Sequence, residues 1–410
     1  LAEGEFPEYS ATPEDFGMVT GSINTDAKIT VPFVNNSAYA VTDLDYVVSV
    51  DGVAGSEAHA TFSPSVGVSS KGSFKVSVPC GSVEAKKSIK VEITKVNGHD
   101  NESKDKVAEG YVGVSSTQFT RNMVIEEFTT EKCPNCPRVA GYLHEYLEGA
   151  DLSRVAAVCH HSAYYTDWLT QPCDEELTFL FNDAGMTFAP AVMFNREPDF
   201  DSYYSKGNKD NVTIPGSADE FGTIVDYYLT QTLANAKLDM QVVPNADKSK
   251  VTLVIKGEAN NIYDTDNALL TVYVTEDNVK AQAQGGAQGT YYHQHVIRAY
   301  NSTWGDKVTW DGTSFTATYD YDLDSSWKQD DIKFVAFLNK HNANDPLDNR
   351  IENSINVSLS ATNGVEGVST NNDAVEVARY NAAGQRIYGQ QKGLNIVKLS
   401  DGRTLKVIVK

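Results

Sequence analysis

Two cysteines separated by two residues, Cys133 and Cys136 in "TTEKCPNCPRV", have the spacing that most directly permits chemistry. Such a pair is open to three uses: a redox centre, half of a metal site, or a structural staple. At the start of a helix, unpaired backbone N–H groups and the helix dipole stabilise a thiolate on the first cysteine. Cys133 is the thiol so placed, and Cys136, one turn in, is positioned to resolve a mixed disulfide. Lys132 favours the thiolate and Glu131 opposes it. Pro134 and Pro137 sit in or before the first turn, where a missing N–H costs little.

A metal site would add Cys159, His160 or His161, but no second closely spaced cysteine pair accompanies them. Cys159 lies in an apolar run and reads as a buried thiol. A bridge from Cys159 to Cys173 is the alternative, and it would leave Cys80 as the odd thiol. His160 and His161 read as a solvated strand end ahead of the aromatic loop "SAYYTDWL". His293 and His295 alternate with Tyr292 and Gln294, so on a strand they share one face, exposed or hydrogen bonded. The acidic run "DYDLDSSWKQDD" lacks the Gly and terminal Glu of a calcium loop and reads as a solvated turn. Neither a phosphate-cradling Gly-rich loop nor a Gly-x-Ser-x-Gly elbow is present, which leaves kinase and hydrolase readings without support. No metal and no cofactor is assigned.

The elements that must position the pair follow from periodicity. "NMVIEEF" is a buried strand, and Val139, Leu143 and Leu147 then recur at four-residue spacing, so a strand runs directly into a helix. "RVAAVCHH" is a second buried strand, "CDEELTFLFNDAG" a helix, "PAVMFN" a third strand and "ADEFGTIVDYYLTQTLANA" a closing helix, an order that implies an α/β layer. Before it, "KITVPFV", "DYVVSV", "FKVSVPC" and "SIKVEITKV" alternate apolar and polar residues between turn signals, as strands of a sandwich do. After it, "KLDMQVV", "KVTLVIKG", "LLTVYVT" and "IKFVAFLNK" do the same. The expected organisation is a tether at 1–17, an immunoglobulin-like β-sandwich at 18–117, an α/β domain at 118–235, a second sandwich at 236–361 and a small C-terminal β module at 362–410, the last too small to build much core alone.

At 410 residues the chain is long enough for several cores. Its 34 Lys and Arg stand against 55 Asp and Glu, a formal charge of −21, which repels phosphate backbones and anionic lipids and excludes nucleic acid as a partner. No run of apolar residues is long enough to span a membrane, and "LAEGEFPEYS" has no signal-peptide pattern. Five cysteines are too few for a disulfide-stapled scaffold of this length.

"EEFTTEKCPNC" resembles the active-site segment of the thioredoxin family, in which a strand carrying a buried acid leads through Cys-x-x-Cys into a helix. The resemblance implies a thioredoxin-like fold for the α/β domain, with Glu127 as the acid that exchanges protons with the resolving cysteine. It also implies a cis-proline, Pro190 in "TFAPAVMF", packed against the disulfide, and a substrate surface formed by Ala189, Pro134 and Asn135. The family's Trp before the first cysteine is Lys132 here, and the spacer is Pro-Asn instead of Gly-Pro. The whole order, with "TYYHQHVIRAYNSTWGD", resembles the Omp twenty-eight related outer-membrane-associated proteins of Gram-negative anaerobes over residues 119 to 360. The end "YNAAGQRIYGQQKGLNIVKLSDGRTLKVIVK" resembles the C-terminal sorting domain of type nine secretion cargo. These two resemblances imply an exported protein at the outer membrane, cell surface or periplasm. Two functions are carried forward: thiol-disulfide exchange with a disulfide-containing protein or a small thiol, and non-enzymatic binding of a surface glycan or protein with the cysteine pair as a staple.

Overall fold

The computed structural model describes residues 7–163, 165–181, 187–197, 211–231, 233–360, 376–381, 386–387, 392–399 and 404–409. The expected linker "SATNGVEGVSTNND" after its first residue, and most of the aromatic loop "REPDFDSYYSKGNKDNV", lie outside these residues.

Residues 11–115 make two sheets around one core. Ala11–Pro13, Asp26–Asn35 and Lys71–Pro79 form the smaller sheet, and a six-stranded sheet that includes Val41–Val50, Ala85–Val96 and Val107–Ser115 faces it. Alternation explains the packing, because successive side chains on a strand point to opposite faces. Ala27, Ile29, Val31 and Phe33 are buried while Asp26, Lys28 and Thr30 between them are exposed.

A single eight-stranded sheet dominates the rest of the described chain. Seven of its strands run in the order Ala191–Phe194, Met123–Phe128, Val155–His160, Val296–Tyr300, Leu269–Glu276, Ile332–Asn339, Ile351–Ser358, and Asp306–Lys307 pairs beside Leu269–Glu276. Every residue of Met123–Phe128 and of Val155–His160 is buried, so both faces of these strands are covered. On one face, Met123, Ile125, Val155 and Ala157 meet the helices Cys136–Gly149 and Ala218–Gln231. A core of Leu270, Val272, Val274 and Phe334 meets the three-stranded sheet of Ala236–Pro244, Lys250–Ala259 and Ser314–Asp322. Val124, Ala156, Val158, Tyr273, Ile297, Val335, Phe337 and Ile351 form one continuous cluster that runs across these strands.

This corrects the expected fold class. The protein is mostly β, and among the described residues no thioredoxin-like α/β domain stands between two immunoglobulin-like sandwiches. The strand Val155–His160 does not end a layer; it pairs in parallel with Val296–Tyr300, with Cys159 opposite Val296, and the Cys159 N–H donates to the His295 carbonyl at 2.8 Å. A strand apolar on both faces needs partners for its backbone groups as well as its side chains. Here the partner comes from far along the chain, so the segment read as an α/β layer and the segment read as a second sandwich share one sheet.

The C-terminal residues Glu376–Asn381, Arg386–Ile387, Gly393–Leu399 and Thr404–Val409 make a separate four-stranded antiparallel sheet. Among the described residues no helix is long and apolar enough to cross a membrane.

Candidate functional site

The strand Met123–Phe128 delivers its chain to the cysteines through a hydrogen-bonded turn. The Thr129 N–H donates to the His160 carbonyl at 2.9 Å, the Cys133 N–H to the Thr130 carbonyl at 3.0 Å and the Lys132 N–H to Thr130 Oγ1 at 3.0 Å. The helix then starts at Cys136 with Asn135 as its cap residue and Pro137 in its first turn. Cys136, Val139, Leu143 and Leu147 form its buried stripe, and burying the last three side chains contributes about 1.5–3 kcal/mol each. Cys133 and Cys136 are joined in a disulfide. The Cys136 N–H donates to Cys133 Sγ at 3.1 Å, so a helix-terminal donor already points at the sulfur on which a thiolate would form. Both cysteines are nevertheless buried, at 8% and 1% exposure.

Beneath the first turn of this helix is a cavity of about 170 Å³ lined by Glu127, Pro137, Cys159, Tyr291 and His293 among others. Glu127 and Cys159 are directly opposite on adjacent parallel strands. Burial pushes the Glu127 carboxyl up to about 8, so it is held protonated at neutral pH, and its Oε1 atom has no hydrogen-bond partner among the described residues. Burial, with Glu127 nearby, also raises the Cys159 thiol well above its ordinary value. His293 goes the other way: burial, then the neighbouring His161, lowers it to about 3, so its imidazole is neutral. Its Nε2 is 3.8 Å from the Glu131 carboxylate, beyond hydrogen-bond reach.

Glu126, the next residue on the strand, faces the opposite side and enters a buried ionic chain. Arg196 Nε and Nη2 donate to its carboxylate at 2.8 and 2.7 Å, and His160 bridges Glu126 to Asp174 with contacts of 3.3 and 2.9 Å. Burial alone would raise the Glu126 pKa, but Arg196 outweighs it and holds the carboxyl at about 2. Burial likewise opposes charge on His160, and the bonds to Asp174 and Glu126 overcome it and raise the pKa.

Of the residues expected at the site, Cys133 and Cys136 are joined to each other, and Glu127 is on the strand that leads to them, where it lines the cavity together with Pro137 of the helix's first turn. Pro190 is beside the end of that strand: its peptide with Ala189 is cis, and Ala191, which follows, is opposite Phe128. The Lys132 ammonium lies over the Tyr165 ring, 5.4 Å from its centroid. The Pro134 carbonyl is covered by residue 286, and the Asn135 side chain makes no capping hydrogen bond. Several side expectations need correction. His160 and His161 are fully buried, not solvated, because the sheet continues past them. Cys159 is a free, buried thiol, as its apolar run implies, and it is only the alternative bridge to Cys173 that does not form; Cys80 is free as well. Cys159 and His160 are consecutive on a strand and face opposite ways, which removes them as joint metal ligands. His295 is not on a strand with His293, since its backbone is left-handed. Sequence reasoning missed the Glu126–Arg196 pair, whose partners are distant in sequence, and the segment "QAQGG" at 282–286 that packs on the backbone of the cysteine turn, although its run of small residues was visible.

No curated protein matches the chain. Among solved structures, HBP35 of Porphyromonas gingivalis matches with a TM-score of 0.50 at 22% identity, over 71% of this chain and 99% of that one, a likeness of fold alone. The CARDB domain of a Pyrococcus furiosus protein matches at 18% identity over 28% of this chain and 97% of that one, with a TM-score of 0.21 that supports no argument. The family described as "Outer membrane protein Omp28" matches residues 180–363, a stretch that holds Pro190, Arg196 and His293 but not the cysteine pair.

Proposed function

We propose that this is an exported protein of the cell envelope or surface whose Cys133–Cys136 pair exchanges disulfides with a protein or a small thiol. The observation that carries the exchange reading is a Cys-x-x-Cys disulfide at a helix start, with a buried, protonated carboxyl on the preceding strand that lines the cavity below the helix's first turn. In the oxidised form, a substrate thiolate attacks Cys133 Sγ. The Cys133–Cys136 bond breaks as the mixed disulfide forms, and Cys136 leaves as a thiolate that takes the Glu127 proton. A second substrate thiolate then attacks the substrate sulfur of the mixed disulfide and releases Cys133. Two substrate thiols become one disulfide as the protein's disulfide becomes two thiols, and the reverse sequence reduces a substrate. In that reverse direction Cys133 attacks, Cys136 releases the product, Lys132 favours the attacking thiolate, and Ala189, Pro190, Pro134 and Asn135 form the adjoining surface.

A staple is the poorer use of such a pair. Cross-linking positions three apart removes little chain entropy, about 2 kcal/mol by the loop-closure relation. The exported location rests on the Omp28 family match and on the resemblance of the C-terminal module to a type nine sorting domain. A non-enzymatic binding protein is the second reading, favoured by the burial of both sulfurs.

Cys136→Ser tests the proposal. Incubated with a small aromatic disulfide, it is expected to accumulate a stable mixed disulfide at Cys133, found by peptide mass, whereas Cys133→Ser forms none at Cys136. Modification of Cys133 no faster than that of the buried thiols Cys80, Cys159 and Cys173 would sink the exchange reading.

A further inference from the structure

Both sulfurs are buried, and a second segment lies on the backbone of the turn that carries Cys133. The short strands Val279–Lys280 and Tyr292–His293 pair antiparallel, and the loop between them, "AQAQGGAQGTY", folds over the cysteine turn. Its grip is polar. The Glu131 carboxylate accepts the Gln282 N–H at 2.7 Å and the Ala283 N–H at 3.3 Å, and it is held in place by the Trp168 indole N–H at 3.0 Å. The Gly285 N–H donates to the Glu131 carbonyl at 2.7 Å. The Gln284 carboxamide donates to the Cys133 carbonyl at 2.9 Å and to the Thr130 carbonyl at 3.4 Å.

Fit adds to these bonds. Gly286 has a φ of +76°, and a Cβ there would stand 2.0 Å from the Pro134 carbonyl oxygen. Only glycine permits both the left-handed backbone and this approach. From 281 to 289 the loop holds only Ala, Gln and Gly, so it buries no large apolar side chain over the disulfide. Segments held by a few hydrogen bonds without an apolar anchor are drawn from the low end of local stability.

We propose that residues 282–286 are the gate of the Cys133–Cys136 pair, with Glu131 as its latch. Closed, the gate shields both sulfurs; exchange requires it to lift. Its purpose rests on the exchange reading above, while its geometry does not.

The test is the rate at which dithiothreitol reduces the disulfide in the full chain, followed by alkylation and mass spectrometry of the Cys133 peptide. Gly286→Ala forces the gate off its seat, and Glu131→Ala removes the latch. Both variants are expected to be reduced at least tenfold faster than the wild type, with circular dichroism showing the β structure retained. Should Gly286→Ala disturb folding, Glu131→Ala alone decides. Equal rates in wild type and Glu131→Ala would overturn the gate. The two ideas fail separately: faster reduction with no mixed disulfide in the Cys136→Ser background leaves the gate standing and removes exchange, and the opposite pattern does the reverse.

Discussion

Replacing Glu127 by Gln should make the protein more stable at alkaline pH, and the size of the effect follows from where the carboxyl sits. Glu127 is 4% exposed, and burial raises its pKa from the ordinary 4.5 to about 8. Between those values the native state keeps a proton that the unfolded chain has lost, so stability is fully present below pH 4.5 and declines as pH rises through 8. About 3.5 pH units at roughly 1.36 kcal/mol each give about 5 kcal/mol by pH 9, and about 3 kcal/mol at pH 7. Gln has nearly the same shape and never ionises, so Glu127→Gln avoids this loss. Urea unfolding of the oxidised proteins at pH 4.5, 7 and 9 reads the difference: similar midpoints at pH 4.5, then a widening gap in favour of the variant. Parallel pH profiles would refute the reasoning, because they would mean that the carboxyl ionises in the native state as freely as in water.

Arg196→Met leaves the Glu126 carboxylate buried without its partner and should cost about 3–5 kcal/mol in urea unfolding at pH 7, while the double variant with Glu126→Leu recovers most of that loss. His293 is depressed to about 3, so its contribution is present above pH 6.5 and lost as pH falls toward 3. His293→Gln should therefore flatten the acid limb of the stability profile, by up to about 5 kcal/mol, in the direction opposite to Glu127→Gln. Reducing Cys133–Cys136 should lower unfolding stability by only about 2 kcal/mol, measured with and without reductant. A much larger loss would favour the staple.

What was legible in the sequence was local. The strand Met123–Phe128, the helix with Val139, Leu143 and Leu147 on its buried stripe, and the cysteine pair at the junction all follow from periodicity and spacing within about 30 residues. Glu127 was named through the resemblance of "EEFTTEKCPNC" to the thioredoxin active-site segment, not through periodicity. What periodicity cannot carry is which edges meet. The parallel pairing of Cys159 with Val296 merged two expected units into one sheet and buried His160, which a strand end would have left in water. The ionic chain from Asp174 through His160 and Glu126 to Arg196 has the same origin, since its members are apart in sequence and adjacent only in the fold. Glu131 was legible as a charge beside a thiol; its role as an acceptor for the backbone of residues 282 and 283 depends on a loop 151 residues further along the chain.

The central claim, that Cys133 and Cys136 are an exchangeable pair, is tested most directly by its redox midpoint. The protein is equilibrated from both the oxidised and the reduced side in graded thiol-disulfide buffers, and the oxidised fraction of the Cys133–Cys136 peptide is read by mass spectrometry. The account predicts convergence of the two series on a midpoint above about −300 mV, with a Cys133 thiolate that forms well below the ordinary thiol value of about 8.5. A pair that stays oxidised below about −300 mV, or a Cys133 that titrates like an ordinary thiol, would contradict it.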